Sequence, residues 1–159
     1  MIPNNYQAGF TALEVVITVL ILGILATLGQ GSYAVWQKNV HIHNATEEFK
    51  SSLVQAQQKA AASADGKSWG VHLEADRYTL FSGDIYTVNN PTNVVKDLIG
   101  LTIVNPATSL SDGTSGNSPD VVFFKFTGQT VNSGTITLQV NADPTIQRTI
   151  SISNLGVIQ

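Results

Sequence analysis

Glu14 stands alone in the run Gly9-Phe10-Thr11-Ala12-Leu13-Glu14-Val15-Val16-Ile17, and no other Asp, Glu, Lys or Arg precedes Lys38. Placing a charge at the centre of a membrane costs roughly 2.5 to 3.5 kcal/mol, so a carboxylate inside an apolar segment calls for a cation or a donor as partner. The chemistry it suggests is ion pairing rather than catalysis. Other reactive types are sparse. His41 and His43 lie two positions apart and so cannot share a helical face, while His72 alternates within a predicted strand; all three read as surface or half-buried histidines. Asp112, Asn117 and Asp120 fall in one polar stretch and could offer oxygen ligands to Ca²⁺, although their spacing is not that of an EF-hand. Gly113-Thr114-Ser115-Gly116 lacks the spacing of a nucleophile elbow, and neither a phosphate-binding loop nor a dinucleotide fingerprint is present. With no cysteine, a disulfide framework, a thiolate metal site and a cysteine nucleophile are excluded together. The chain is expected to be neither an enzyme nor a cofactor carrier.

Composition narrows the partners. At 159 residues there is room for one compact head once the apolar run is set aside. The formal charge is −3, and the eight Lys and Arg are scattered from Lys38 to Arg148, which leaves no electrostatic footprint for nucleic acid. Only 12% of residues are charged against 43% hydrophobic, a balance that excludes a disordered chain.

The elements that must position Glu14 come first in the chain. From Phe10 to Val35 the sequence is almost entirely apolar, long enough for a helix to cross a ~30 Å hydrocarbon layer. A removable secretory signal fits less well, since Met1–Gly9 holds no Lys or Arg and the run passes directly into helical sequence. From Trp36 the pattern becomes amphipathic. Val40 or Ile42, Ala45, Phe49, Leu53, Ala56 and Ala60 form one stripe at helical spacing, and Asp65-Gly66 closes it. One helix from about Phe10 to Ala64 is expected, greasy all round in its first half and striped in its second. Its weak point is Gly29-Gln30-Gly31, because each glycine costs roughly 1 kcal/mol relative to alanine in a helix.

Beyond Gly66 the period shortens to that of strands. Runs at Trp69–Leu73, Tyr78–Phe81, Leu98–Val104, Val121–Phe126, Thr135–Val140 and Thr149–Ser153 are separated by turn chemistry such as Ser82-Gly83-Asp84 and Asn132-Ser133-Gly134. With no helical crossovers between them, the strands are expected to pair antiparallel. Thr87–Thr92 and Asn105–Asp120 read as surface loops. The fold class is α+β, with a long N-terminal helix and an antiparallel sheet head. Phe49 and Trp69 are expected in the helix-to-sheet core, with Trp36 at a membrane interface or in filament packing.

Gly9-Phe10-Thr11-Ala12-Leu13-Glu14 followed by an apolar helix resembles the class III signal of type IV pilin-like proteins: a leader ending in Gly, a Phe after the cut and Glu at the fifth mature position. The segments Trp69–Leu73, Val122–Gly128 and Ile150–Gly156 look like the sheet pattern of H-type type II secretion pseudopilins and related minor pilins. The resemblance implies a leader over residues 1–9, a transmembrane and assembly half-helix over 10–36, and a periplasmic or extracellular head over 37–159. It implies cleavage between Gly9 and Phe10 by a prepilin peptidase, methylation of Phe10, extraction from the membrane through an inner-membrane assembly platform, and polymerisation with itself or other pilins. Some secretion pseudopilins of this kind bind Ca²⁺. Paired glycines Gly29 and Gly31 stand near the position where many members have a proline. The physical logic holds beside the name: cleavage creates an amine on Phe10, four residues from Glu14 and on the same helix face. Removing one partner of such a buried pair typically costs ~3 to 5 kcal/mol. The competing reading is a singly anchored extracytoplasmic protein whose β head binds a ligand.

Overall fold

The computed structural model describes residues 9–114 and 116–159, with the backbone alone over residues 27–32. Helix α1 runs from Ala12 to Ala61. It is followed by nine strands: β1 (Trp69–Leu73), β2 (Arg77–Ser82), β3 (Val94–Asp97), β4 (Leu101–Val104), β5 (Leu110–Ser111), β6 (Asn117–Ser118), β7 (Asp120–Phe123), β8 (Gly134–Val140) and β9 (Asp143–Ile152). The fold is α+β, and every pairing between strands is antiparallel. The chain divides into two compact units, the first ending at Gln37 and the second spanning Lys38–Gln159.

In the second unit the helix stripe does what its spacing predicts. Ile42, Phe49, Leu53, Ala56 and Ala60 are fully buried, Ala45 packs at the margin of the core, and Val40 stays outside it. Thr46 completes the buried face and satisfies its hydroxyl by donating to Ile42 O at 2.7 Å, so a polar residue can be buried without an orphan group. The helix stops at Ala61, three residues before the expected end, because Ser63 turns left-handed (φ 50°) and Asp65 does so again (φ 57°). Phe126 N then donates to Ala60 O at 3.0 Å, so a distant turn supplies a donor for one of the last helical carbonyls.

The stripe packs on a four-stranded sheet of order β3-β2-β1-β7. Val71 and Leu73 of β1, Tyr78 and Leu80 of β2, and Val121 and Phe123 of β7 all enter the core. Phe49 meets Tyr78 edge to face, with ring centroids 4.7 Å apart. A second sheet, ordered β4-β8-β5-β6 with β9 on the other side of β8, adds Leu101, Ile103, Ile136, Leu138, Ile150 and Ile152 to the same core.

Five expectations need correction. The run Leu98–Val104 is not one strand: Gly100 (φ +71°) makes a turn there, Leu101 N donates to Leu98 O, and only Leu101–Val104 is extended. Val94–Asp97 forms β3, an exposed strand whose Val-Val-Lys-Asp sequence shows no alternation to reveal it. The run Val121–Phe126 ends at Phe123, where a turn begins that closes with Gly128 N donating to Phe124 O. The last strand starts at Asp143 rather than Thr149; Pro144 hid it, and an edge position tolerates proline because no ladder donor is needed on the outer side. The expected loop Asn105–Asp120 holds a short 3₁₀ turn at Pro106–Thr108 and the two-residue strands β5 and β6.

Gly70 sets how closely the sheet can be covered. A Cβ there would lie 2.7 Å from Phe81 Cζ and from Val121 O, with backbone on one side and a buried ring on the other. Gly70→Ala is expected to lower the stability of the head by about 1 to 3 kcal/mol through overpacking. Phe49→Ala is expected to lose about 3 to 5 kcal/mol through a core cavity. Chemical denaturation of the head followed by circular dichroism checks both.

Candidate assembly site

Gly9, Phe10 and Thr11 precede the helix in non-helical conformation, and both Gly9 and Phe10 are exposed, Phe10 to 83%. The peptide bond between them is therefore accessible. Thr11 opens the helix, its Oγ1 accepting from Glu14 N at 3.3 Å while its carbonyl accepts from Glu14 N and Val15 N. This is half of a capping box, with Thr at the cap and Glu three residues on. The pattern was legible in Thr11-Ala12-Leu13-Glu14 and adds a local role to the carboxylate, which sits where the helix dipole favours negative charge. Thr18 Oγ1 donates to Glu14 O at 2.7 Å, which satisfies a hydroxyl one turn further along.

Around this acid the helix is apolar on every side. Leu13, Val15, Val16, Ile17, Val19, Leu20, Ile21, Leu22, Ile24 and Leu25 are all exposed. A helix hydrophobic all round lacks the polar face that a helix on the surface of a soluble head presents to water. Among the described residues no helix is long and apolar enough to cross a membrane; residues 27–32 of the apolar run, whose side chains are not described, interrupt the stretch. The backbone stays helical through Gly29 and Gly31 within that interval. Tyr33 and Trp36 follow with ring centroids 5.9 Å apart, and Trp36 is exposed. The expected leader Met1–Ala8 lies outside the described residues.

The remaining candidates scatter. His41 Nε2 lies 2.9 Å from Ile99 O and pins the turn between β3 and β4, while His43 faces solvent. His72 bridges β1 to β7 through Asp120 and stacks on Tyr86 at 3.9 Å between ring centroids. Asp120 is thereby spent on a histidine. Asp112 is spent on its own turn: Oδ1 accepts from Thr114 N, Thr114 Oγ1 and Gly116 N, and Asn117 pairs with Ser111 across β5 and β6. Among the described residues no group of three or more His, Asp or Glu stands ready for a metal ion. The Thr114 hydroxyl and amide hold the Asp112 carboxyl below its ordinary range.

The surface of the head carries shallow clefts. One of about 440 Å³, bordered by Ser111, Thr114, Phe124, Gln129, Val131 and Asn154, carries no charged side chain. Another of about 240 Å³ has His41, Glu48, Tyr78 and Lys96 on its walls, but Lys96 Nζ is already 3.0 Å from Glu48 Oε1, and burial pushes the Tyr78 hydroxyl up. Sequence reasoning missed Gln57, whose Nε2 donates to Gly128 O at 3.0 Å and Gly156 O at 2.9 Å, tying two turns to the helix. Its one signal was an uncharged amide directly beside the apolar stripe.

A family model described as type II transport protein GspH matches residues 45–156, which begin inside α1 and include β1 through β9. Among solved structures, the minor pseudopilin EpsH from the type 2 secretion system of Vibrio cholerae is similar at 14% identity and a TM-score of 0.43, covering 75% of this chain and 94% of that one. No curated protein sequence matches the chain.

Because the Asp112 pKa is depressed, the turn over residues 112–116 is held in full above the ordinary aspartate value of 3.8 and is lost as pH falls through the lower folded value. The amide resonances of Thr114 and Gly116 are expected to stay fixed from pH 8 to about pH 4 and to shift only below it. Asp112→Asn is expected to move both at neutral pH, with the rest of the head unchanged.

Proposed function

This chain belongs to the GspH family of type II transport proteins, and from that membership we infer that it is a filament subunit of type II secretion, anchored in a membrane through residues 10–36 and polymerised through the same segment with other pseudopilins. The family is structural, membrane-associated and periplasmic. The observation that carries the assembly reading is the helix from Leu13 to Leu25, apolar on every face and exposed in the single chain, with one carboxylate at its start. Lipid covers such a helix before assembly and neighbouring helices cover it afterwards, and only the second environment can offer Glu14 a fixed amine.

Processing by a prepilin peptidase at the exposed Gly9–Phe10 bond supplies that amine, on the mature terminus of the same or an adjacent subunit. Glu14 then sets axial register: a subunit is favoured at the level where its carboxylate meets a terminal amine and disfavoured where the charge is left unpaired in apolar surroundings. The cap made by Thr11 holds the first turn, so the carboxylate is presented at a defined height. Gly29 and Gly31 provide the local loosening that lets the helix adapt as it leaves the lipid for the assembly platform. The head, residues 37–159, faces the periplasm or the exterior of the filament. The rival reading is a singly anchored ligand-binding head; among the described residues, the cleft that holds Lys96 and Glu48 has those two charges paired with each other.

Amino-terminal analysis of the membrane-extracted protein is expected to begin at Phe10, and retention of Met1 would remove the basis for the pairing. Glu14→Gln and Glu14→Ala are expected to leave the head folded and the chain in the membrane while lowering incorporation into sheared filaments by at least about tenfold. Incorporation equal to wild type would refute the register role.

A further inference from the structure

Phe126 is held with φ +70°, a left-handed conformation rare for a bulky residue, and its ring is 71% exposed. Strain of this kind persists only where the surroundings over-determine it, and it gathers at contact sites. The surroundings here are explicit: Phe126 N is tied to Ala60 O, Gly128 N to Phe124 O, and Gln57 binds both this turn and the one containing Gly156. On these two adjoining turns Phe124, Phe126, Leu155 and Val157 all stay exposed, Leu155 to 64%. A rigid apolar patch therefore surrounds the carboxyl end of α1, and its presentation costs little conformational entropy on binding.

Charge marks the same end. Lys59 lies over the Trp69 ring, Lys125 Nζ reaches Gly66 O at 3.5 Å, and Lys67 is the next residue, so that these three cations outnumber the exposed Asp65 carboxylate of the same turn. Among the described residues none of these three lysines meets a carboxylate, whereas Lys38, Arg77 and Lys96 are all ion-paired. The opposite end of the head has the reverse character. Ile99, 80% exposed, caps the turn between β3 and β4. Asp97 adjoins it, and Leu98 N bonds Asp76 O, which brings the Glu74–Arg77 turn alongside; with Lys96 paired to Glu48, the carboxylates Glu74, Asp76 and Asp97 outnumber the guanidinium of Arg77. His41 touches the acidic turn and Ala60 the basic one, so about 30 Å of helix separates the two ends.

We propose that heads of this chain stack end to end, the Phe126–Leu155 patch with Lys67 and Lys125 of one copy seating on the Ile99 turn with Asp76 and Asp97 of a second copy. The two surfaces match in chemistry, aromatic with basic against aliphatic with acidic, and they lie on different faces of the same head. Such a contact is heterologous: it does not close on itself as a two-fold dimer does, but repeats along a line. The proposal rests on the filament reading for its biological setting, yet it concerns the heads alone and leaves the Phe10–Glu14 pairing untouched.

The chain contains no cysteine, which makes site-specific crosslinking clean. In the full-length membrane protein carrying both Ile99→Cys and Phe126→Cys, a short bismaleimide is expected to give a ladder of dimers, trimers and higher species, with each single variant remaining monomeric. Adding Lys125→Glu is expected to weaken the ladder roughly fivefold, and adding Asp97→Lys to that chain is expected to restore it. Thermal melting of each variant head shows that folding is retained. Dimers from Phe126→Cys alone would mean a two-fold contact and overturn the proposal, as would the absence of a ladder whether or not filaments form. A ladder in a chain that retains Met1 and forms no filaments would leave the stacking standing and remove the filament reading.

Discussion

Burial of one stripe of α1, from Ile42 to Ala60, is the interaction on which the rest of the head depends. Each fully buried large apolar side chain contributes about 1.5 to 3 kcal/mol, and the stripe sets Phe49 and Leu53 against β1, β2 and β7 while the second sheet closes the same core. Without the helix, the four-stranded sheet would expose one apolar face. Without the sheets, the helix would hold a stripe but no fixed partner. The same helix shows the opposite condition from Leu13 to Leu25, where the large apolar side chains are exposed on every face instead of gathered in one stripe. Within the head the helix thus covers its hydrophobic surface by packing on the sheets, and from Leu13 to Leu25 it leaves that surface exposed.

Polar groups near the core refine this arrangement rather than drive it. Thr46 bonds its own helix, Gln57 binds two turns, and Asn132 accepts from Val122 N while donating to Ser111 O, so each half-buried amide joins segments far apart in sequence. His72 joins β1 to β7 and supports Tyr86, which in turn covers Phe81. Leaving any such buried group unpaired costs about 1 to 3 kcal/mol, and the loops between strands are fixed by these bonds instead of by regular ladders. Outward-facing consequences follow from the same ties: the turn that carries Phe126 is rigid because the helix end needs its amide.

Much of this was legible in the sequence wherever a single period dominated. The 3.6-residue spacing placed the core face from Ala45 to Ala60, while it left Val40 and Ile42 as alternatives and passed over Thr46, a polar residue that is buried only because its hydroxyl bonds its own helix. Strand β1 coincides with the expected run, since Trp69, Val71 and Leu73 alternate cleanly with Gly70 and His72. The misses have a common cause. β3 lies exposed at an edge, β9 carries a proline as its second residue at another edge, and both lack the alternation that comes from having one buried face. The break at Gly100 is a local turn inside an apolar run, where composition favours a strand and only the positive φ decides against it.

The sequence by itself determined the apolar first half of the helix, the solitary position of Glu14, the striped second half and the α+β class, all of which follow from local periodicity and from charge that is present or absent. It also carried the capping pattern at Thr11, which acts within one helical turn. Only the tertiary structure decided which distant groups meet: His72 with Asp120, Gln57 with Gly128 and Gly156, Lys38 with Asp143, and the Phe126 amide with the end of the helix. It also gives Asp112 and Asp120 different neighbours, Thr114 for the first and His72 for the second. These pairings depend on sheet order and turn geometry, which arise from the packing of the whole core and leave no periodic trace in the chain.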